Sequence, residues 1–246
     1  MPSDRTVAAT QFLIRPLYLQ VRDAMIERIA KGEWKPGKAL PNEVDLAREY
    51  GISSGTMRKA LDILEADRAV TRRQGRGTYV NDQTADAQVS RFCRIGGSDG
   101  KLVAGESKTT DIVEAAASEG ECRRLRLTPR DRVYRIRGIH MNAKLPFTVE
   151  DASLPAALFP GPLEKKDVPH RVAALAQEHG ILLGKAQERV SIGSAPARIA
   201  TSLGIAPGTP VMLLDRLLLA LDGQPVEWRV AHCNLAGGYF YLAEMS

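Results

Sequence analysis

From Leu40 to Val80 the chain reads LPNEVDLAREYGISSGTMRKALDILEADRAVTRRQGRGTYV, a helix, a tight turn, a second helix and a two-stranded wing dense in arginine. Asn42 after Pro41 suits an N-cap, and acids in the opening turn favour a helix over about 42–50. Val44, Leu46, Ala47 and Tyr50 give it a partial inner stripe. Gly51 ends it, since a sharp reversal favours a residue tolerant of positive φ. Ser53 or Ser54 then caps a helix whose inner face is Met57, Ala60, Leu61 and Leu64. Ser54, Gly55, Thr56, Arg58 and Lys59 point outward from its first turns. Position and chemistry both make this a recognition helix.

Upstream, Pro16 opens a helix in which Leu17, Val21, Met25 (or Ile26) and Ile29 recur at helical spacing, Gly32 ends it, and Lys35-Pro36-Gly37 turns the chain. Downstream, Ala69–Arg73 and Thr78–Val80 are short strands around Gln74-Gly75-Arg76-Gly77, where two glycines beside a basic residue let the backbone approach a phosphate. After Asp67 every charged residue up to Arg76 is basic. Such a run is commonly a solvated face, but beside a helix-turn-helix it reads as a polyanion contact, in keeping with a net charge of +5 and a pI near 9.2.

These residues carry a resemblance. PLYLQ, KGEW.PG, LPNE, LA.EYGIS..T.RKAL..LEA and V.R.QGRGTYV fall in the order of the winged helix-turn-helix of the GntR family of bacterial transcription regulators, over about residues 16–80. The resemblance implies double-stranded operator DNA as partner, an imperfect inverted repeat read by a homodimer. It implies contacts from Ser53, Ser54, Gly55, Thr56, Arg58 and Lys59 on the helix, and from Arg72, Arg73, Gln74, Gly75, Arg76 and Gly77 on the wing. Val44 and Ser54 stand where that family usually has arginines, which shifts weight onto Arg58 and the wing.

The remaining bounds are permissive. At 246 residues, 44% hydrophobic and 26% charged, the chain suits one large or two ordinary globular domains. No apolar run reaches the length of a membrane helix, and residues 1–15 lack the layout of a secretion signal, so they read as a flexible arm on a cytoplasmic protein. Three cysteines at wide spacing, Cys93, Cys122 and Cys233, argue against a disulfide framework or zinc site.

Asn81–Ser90 is polar and aperiodic, and reads as a linker (81–90). Beyond it VYRIRGIHM, NAKLP and FTVEDASL form a β-hairpin, and VMLLDRLLLA, LDGQP and VEWRVAHC form a second. A helix-like segment precedes each, Ile112–Arg124 and Ala195–Leu203, and Asp167–His179 lies between them with Val168, Val172, Leu175 and Ala176 at helical period. This order resembles the effector-sensing UTRA domain of HutC-type members of the GntR family, similar in fold to chorismate lyase, over 91–246. The fold class expected for the whole is α+β: a winged helix-turn-helix followed by an antiparallel sheet with helices.

Strand alternation puts Val133, Arg135, Arg137 and Ile139 on one face and Tyr134, Ile136 and His140 on the other. Two arginines on one face clamp a carboxylate or phosphate if they line a pocket, or face solvent on a one-sided sheet. The resemblance favours the pocket and a small anionic effector. It also implicates Glu150 and Glu227, each of which read alone is equally a surface ion pair with a neighbouring arginine. His170 and Arg171 stand at the start of the middle helix, and Cys233 where relatives often have an aromatic. The glycine-rich run 94–100 offers amides to an anion, or is a plain turn.

His140, His170, His179 and His232 lack metal-ligand spacing, and no nucleophile elbow, phosphate loop or dinucleotide fingerprint occurs, so neither cofactor nor catalytic site is expected. The reading is an effector-released repressor. Its rivals are a constitutive DNA binder whose second domain only dimerises, and a lyase-like enzyme.

Overall fold

The computed structural model describes residues 15–82, 95–103, 106–163 and 172–242. Most of the expected arm, most of the linker, and the His170-Arg171 pair lie outside the described residues. The chain divides into two compact units at Asp82/Gln83.

The first unit is built on three helices. Helix α1 (Leu17–Ala30) buries Val21, Met25 and Ile29, whereas Leu17, expected on that stripe, is 51% exposed. Helix α2 (Glu43–Glu49) starts where Asn42 Oδ1 accepts the Asp45 amide, and Gly51 follows its C-cap with φ +62°. It buries Leu46 and Ala47. Val44, placed on the inner stripe by its apolar character, is instead 58% exposed, because a seven-residue helix presents only a narrow buried edge. Helix α3 (Ser54–Ala66) is capped by Ser53, whose hydroxyl accepts the Thr56 amide, and buries the four expected residues completely or nearly so. Burial of each large side chain contributes roughly 1.5–3 kcal/mol. Strands β1 (Val70–Arg73) and β2 (Gly77–Val80) pair antiparallel as the wing, and Leu40 N–H donates to Thr78 O along its edge.

The second unit is a six-stranded antiparallel sheet. Strands β4 (Glu106–Ala116), β5 (Arg132–Asn142), β6 (Leu145–Pro155), β7 (Leu183–Ser194), β8 (Pro210–Ala220) and β9 (Pro225–Cys233) lie in the order β4-β5-β6-β9-β8-β7. A short ribbon of β3 (Ile95–Gly96) and β10 (Phe240–Tyr241) accompanies it. Helices α4 (Glu119–Leu125), α5 (Val172–Glu178) and α6 (Ala197–Leu203) complete the unit. The two hairpins are as expected, and the repeat is larger than the hairpin alone. Each half runs strand, helix, hairpin: β4-α4-β5-β6, then β7-α6-β8-β9. The halves join along one seam, β6 against β9.

Two expectations need adjustment. Ile112–Arg124 is not one helix, since Ile112–Ala116 is the end of β4 and the helix begins after Ser118. Ser118 and Glu121 form a reciprocal capping box there, and that signal marks the true start. The middle helix is described only from Val172.

Side-chain alternation gives the sheet two different coats. On one face α4 packs Leu125 against Val133 and Leu217, and α6 packs Ile199, Ala200 and Leu203 against Val149 and Val211. On the other, α5 covers Tyr134, Ile136, Leu154 and Leu218. There Ile95 and Tyr241 of the ribbon strands pack with Met212, Leu214 and Cys233. Buried charges on this second face interrupt an otherwise apolar layer.

Candidate functional site

The first unit presents an exposed cationic surface. Ser53, Ser54, Gly55, Arg58 and Lys59 are exposed along the start of α3, and Arg73, Gln74, Gly75, Arg76 and Gly77 are exposed on the wing. Gly75 (φ +69°) and Gly77 (φ +104°) take left-handed conformations that allow the tight tip. The cations differ in what holds them. Arg58 Nη2 donates to Glu43 Oε1 at 2.9 Å, joining the two helices of the motif. The Arg73 guanidinium lies 4.6 Å from the Tyr79 ring centroid.

Arg72 is only part-exposed and is built into the domain. Its Nη1 donates to Asp62 at 2.6 Å, its Nη2 to the Arg58 carbonyl at 3.2 Å, and its backbone N–H to Glu65 at 2.9 Å. Arg72 thus ties the wing to α3. The expectation that both wing arginines contact phosphate therefore divides. Changing Arg76 to Ala should reduce the salt dependence of DNA binding by about one unit in the log–log slope. Changing Arg72 to Ala should leave that slope near its wild-type value and loosen the wing, costing at most about 1 kcal/mol. Titrations at several salt concentrations, with melting curves, check both.

In the second unit the expected effector residues do not converge. Arg135 and Arg137 lie on the face coated by α4 and α6, and both are engaged. Arg135 grips the buried Glu121 through Nε (2.8 Å) and Nη2 (2.6 Å), and reaches the Ala116 carbonyl at 3.0 Å. Burial raises the Glu121 pKa, but hydrogen bonds from Arg135, the Ser118 backbone and side chain, and Ser153 outweigh it and hold the carboxyl at about 2. Arg137 Nε donates to Asp151 at 2.8 Å, and Arg198 of α6 binds the other oxygen of the same carboxylate. Neither arginine forms the open clamp that two guanidinium groups on one strand face suggested.

Glu150 and Glu227 lie on the opposite face, 4% and 1% exposed, so the surface ion-pair reading does not apply to them. Between them sits Arg229, 6% exposed, forked onto Glu227 (Nε and Nη2, both 2.8 Å) and reaching Glu150 through Nη1 at 2.7 Å. Burial pulls the Arg229 pKa down, but the two carboxylates more than compensate and keep it charged. His140 Nε2 lies 2.9 Å from the same Glu150 oxygen. Beyond Arg229, Arg216 donates to Glu188 at 2.6 Å, and Tyr241 binds the other oxygen of Glu188. Cys233 is on this face too, buried in the apolar cluster under the ribbon.

Three hydroxyls, on Ser107, Thr109 and Thr148, are buried on this face without a hydrogen-bond partner among the described residues. An unsatisfied buried polar group costs about 1–3 kcal/mol, so three together demand an explanation. Sequence reasoning missed His140, Arg229 and these hydroxyls. Alternation had already placed His140 opposite Arg135, and only the β5–β6 register brings it beside Glu150.

The glycine-rich run behaves as a plain turn where it is described. Gly97 N–H donates to Lys101 O, Gly100 N–H to Gly97 O, and Lys101 N–H to the Asp99 side chain. It borders a cavity of about 380 Å³ with Asn142 and Tyr239. Among the described residues no His, Cys, Asp and Glu side chains group as metal ligands, and no helix is long and apolar enough to cross a membrane.

A winged helix-turn-helix with a cationic reading surface, followed by a sheet domain with a buried polar strip, defines a regulator of the ligand-sensing type. Residues 17–80 match the bacterial regulatory proteins of the gntR family, and residues 84–236 match the UTRA domain. The chain belongs to the GntR family, in its UTRA-containing branch.

Its relatives include the mannosyl-D-glycerate transport/metabolism system repressor MngR of Escherichia coli (strain K12), 34% identical over 59% of this chain and 61% of the relative. The probable fructoselysine utilization operon transcriptional repressor of the same strain is 30% identical over 58% and 59%. The chain thus spans about three-fifths of the length of these two. The histidine utilization repressor of Pseudomonas putida is 29% identical over 82% of this chain and 81% of its own. Among solved structures, the ligand-binding domain of a putative GntR-family transcriptional regulator from Bordetella bronchiseptica has the same fold. Its TM-score is 0.57 at 24% identity, over 63% of this chain and 98% of that one.

Proposed function

We propose that this protein is a DNA-binding transcription repressor released from its operator by a small molecule bound in the second unit. The observation that carries the reading is the exposed start of α3, with Arg58 and Lys59 outward and the helix seated on a fully buried inner face. Such a helix enters the major groove with its N-terminal residues against base edges, while the wing braces the flanking backbone. Arg58 is the base-reading candidate, and Glu43, its partner in the free protein, orients the guanidinium until DNA replaces that contact. Exposed Val44 suits a thymine methyl group, an apolar contact where relatives would place a charge.

A homodimer on an inverted repeat is the arrangement this motif calls for. Ile192 (83% exposed) and Val190 (47%) on the outer strand β7 offer an apolar edge for self-association. The effector must bind the geometry that does not hold DNA more tightly, and DNA must then weaken the effector by the same factor. The relatives named above are repressors, which favours this reading over the lyase-like alternative.

The anionic effector expected from an arginine clamp loses its support, since Arg135 and Arg137 are both committed to internal carboxylates. The relatives' names point to sugar-derivative metabolism in two cases and histidine in a third. The test of the reading is operator binding measured with and without candidate metabolites. Changing Arg58 to Ala should weaken operator binding at least about tenfold and leave metabolite binding unchanged. An Arg58→Ala protein that binds its operator normally would exclude α3 as the reader.

A further inference from the structure

Four cations are exposed on the reading surface of the first unit: Arg58, Lys59, Arg73 and Arg76. Among the described residues only Arg58 meets a carboxylate. Lys59 and Arg73 lie over the Tyr18 and Tyr79 rings instead. Arg58 reaches Glu43 through Nη2 at 2.9 Å and Nε at 3.4 Å, across from α3 to the start of α2. The two side chains are 64% and 28% exposed, so both charged heads lie on the surface that faces DNA. An acid in the first turn of a helix ordinarily answers the helix dipole. Asp45 already fills that place in α2, where Asn42 Nδ2 donates to its carboxylate at 2.6 Å and Asn42 Oδ1 accepts its amide. Glu43 crosses to α3 instead, and its charge has the wrong sign for a phosphate contact.

We propose that Glu43 reads a cytosine in the operator, on the base pair next to the guanine read by Arg58. The inference rests on the DNA-binding reading above and adds a second base-specific residue. When Arg58 turns onto guanine O6 and N7, the carboxylate it leaves has lost both hydrogen bonds in a groove walled by phosphates. The major groove offers that carboxylate donors only at the amino groups of cytosine and adenine. Adenine N6 stands beside the N7 acceptor, which repels the second carboxylate oxygen. Cytosine presents its N4 donor with no acceptor of its own. The exchange then orphans neither charge, because guanine takes the guanidinium and cytosine donates to the carboxylate. The two heads touch in the free protein, and a fork on O6 and N7 covers the edge of one guanine. The carboxylate therefore falls on the adjacent pair, about 3.4 Å along the duplex.

The experiment is selection of binding sites from random-sequence duplex DNA by the full chain, with Glu43→Ala, Glu43→Gln and Arg58→Ala beside wild type. Wild type should enrich sites with two adjacent specified G·C pairs. In Glu43→Ala, discrimination at one of them should fall from about tenfold to within about twofold, while its neighbour keeps its preference. Arg58→Ala should relax the neighbour. Glu43→Gln should change the relaxed pair to A·T, because a glutamine amide accepts from adenine N6 and donates to N7. Base preferences are compared among bound duplexes, so a smaller folded fraction in a variant does not move them.

A Glu43→Ala protein that keeps the wild-type preference at every pair would overturn the proposal. So would relaxation only at the pair that Arg58→Ala relaxes, since Glu43 would then act through Arg58 alone. Glu43→Gln sites without adenine at the relaxed pair would also overturn it. Wild type separates this from the reading beneath it. A wild-type protein that enriches no sequence removes the DNA-binding reading and the proposal together. A wild type with a defined site and an unchanged Glu43→Ala profile removes the proposal and keeps the regulator.

Discussion

Replacing Arg229 by alanine should destabilise the second unit by about 3–5 kcal/mol, the largest effect expected from a single change in this protein. The guanidinium is 6% exposed and satisfies two carboxylates that are themselves 4% and 1% exposed. Removing it takes the guanidinium from between two buried carboxylates, one of which also has His140 Nε2 at 2.9 Å. The cost is that of buried charge left without its partner, over and above lost packing. A triple replacement, Glu150→Leu with Glu227→Leu and Arg229→Met, should recover most of the loss, because the cost comes from the uncompensated charge. Denaturant unfolding of the three proteins decides it. A triple variant no more stable than Arg229→Ala would mean that Arg229 acts by packing alone.

Glu121→Ala is the second. Glu121 caps α4, accepts from Ser153 and holds Arg135, so its loss removes a cap and three side-chain hydrogen bonds at once. A cost on the order of 2–3 kcal/mol follows. In the wild type the carboxyl is held at about 2, below its usual 4.5. A depressed carboxyl contributes stability that is fully present above its unfolded pKa and is lost as pH falls through the folded value. The wild type should therefore weaken between about pH 4.5 and pH 2 by more than the variant does. Acid unfolding followed by circular dichroism gives the comparison. Parallel acid curves for the two proteins would remove Glu121 from the account.

The first unit was legible almost residue by residue, because its signals are local. Asn42, Gly51 and Ser53 act within one helical turn of their own positions, and Met57, Ala60, Leu61 and Leu64 follow a helical period that packing respects. Val44 shows the limit. Its apolar character suggested burial, yet its place on a seven-residue helix leaves it outside. The second unit was legible as hairpins but not as a site. Ser118 and Glu121 announce a helix start that the longer segment from Ile112 obscured. The effector residues depended on register, which no local pattern gives: one step along β5 separates Arg137, bound to Asp151, from Gly138, level with Glu150. Arg229 belongs with Glu150 only because β9 lies against β6, strands separated by roughly 80 residues of chain.

That seam has a consequence for how the protein comes to exist. Each half of the sheet, β4-β5-β6 and β9-β8-β7, is made of pairings between strands near in sequence, save for the helices that interrupt them. The join between halves must close a long loop, whose entropy is lost before any contact compensates it. Glu150 arrives on one half and the Glu227–Arg229 pair on the other, so the Arg229 Nη1 contact to Glu150 forms only when the seam closes. Closing the seam is thus the step that buries these charges against one another, and a shifted register of β9 on β6 would carry Arg229 away from Glu150.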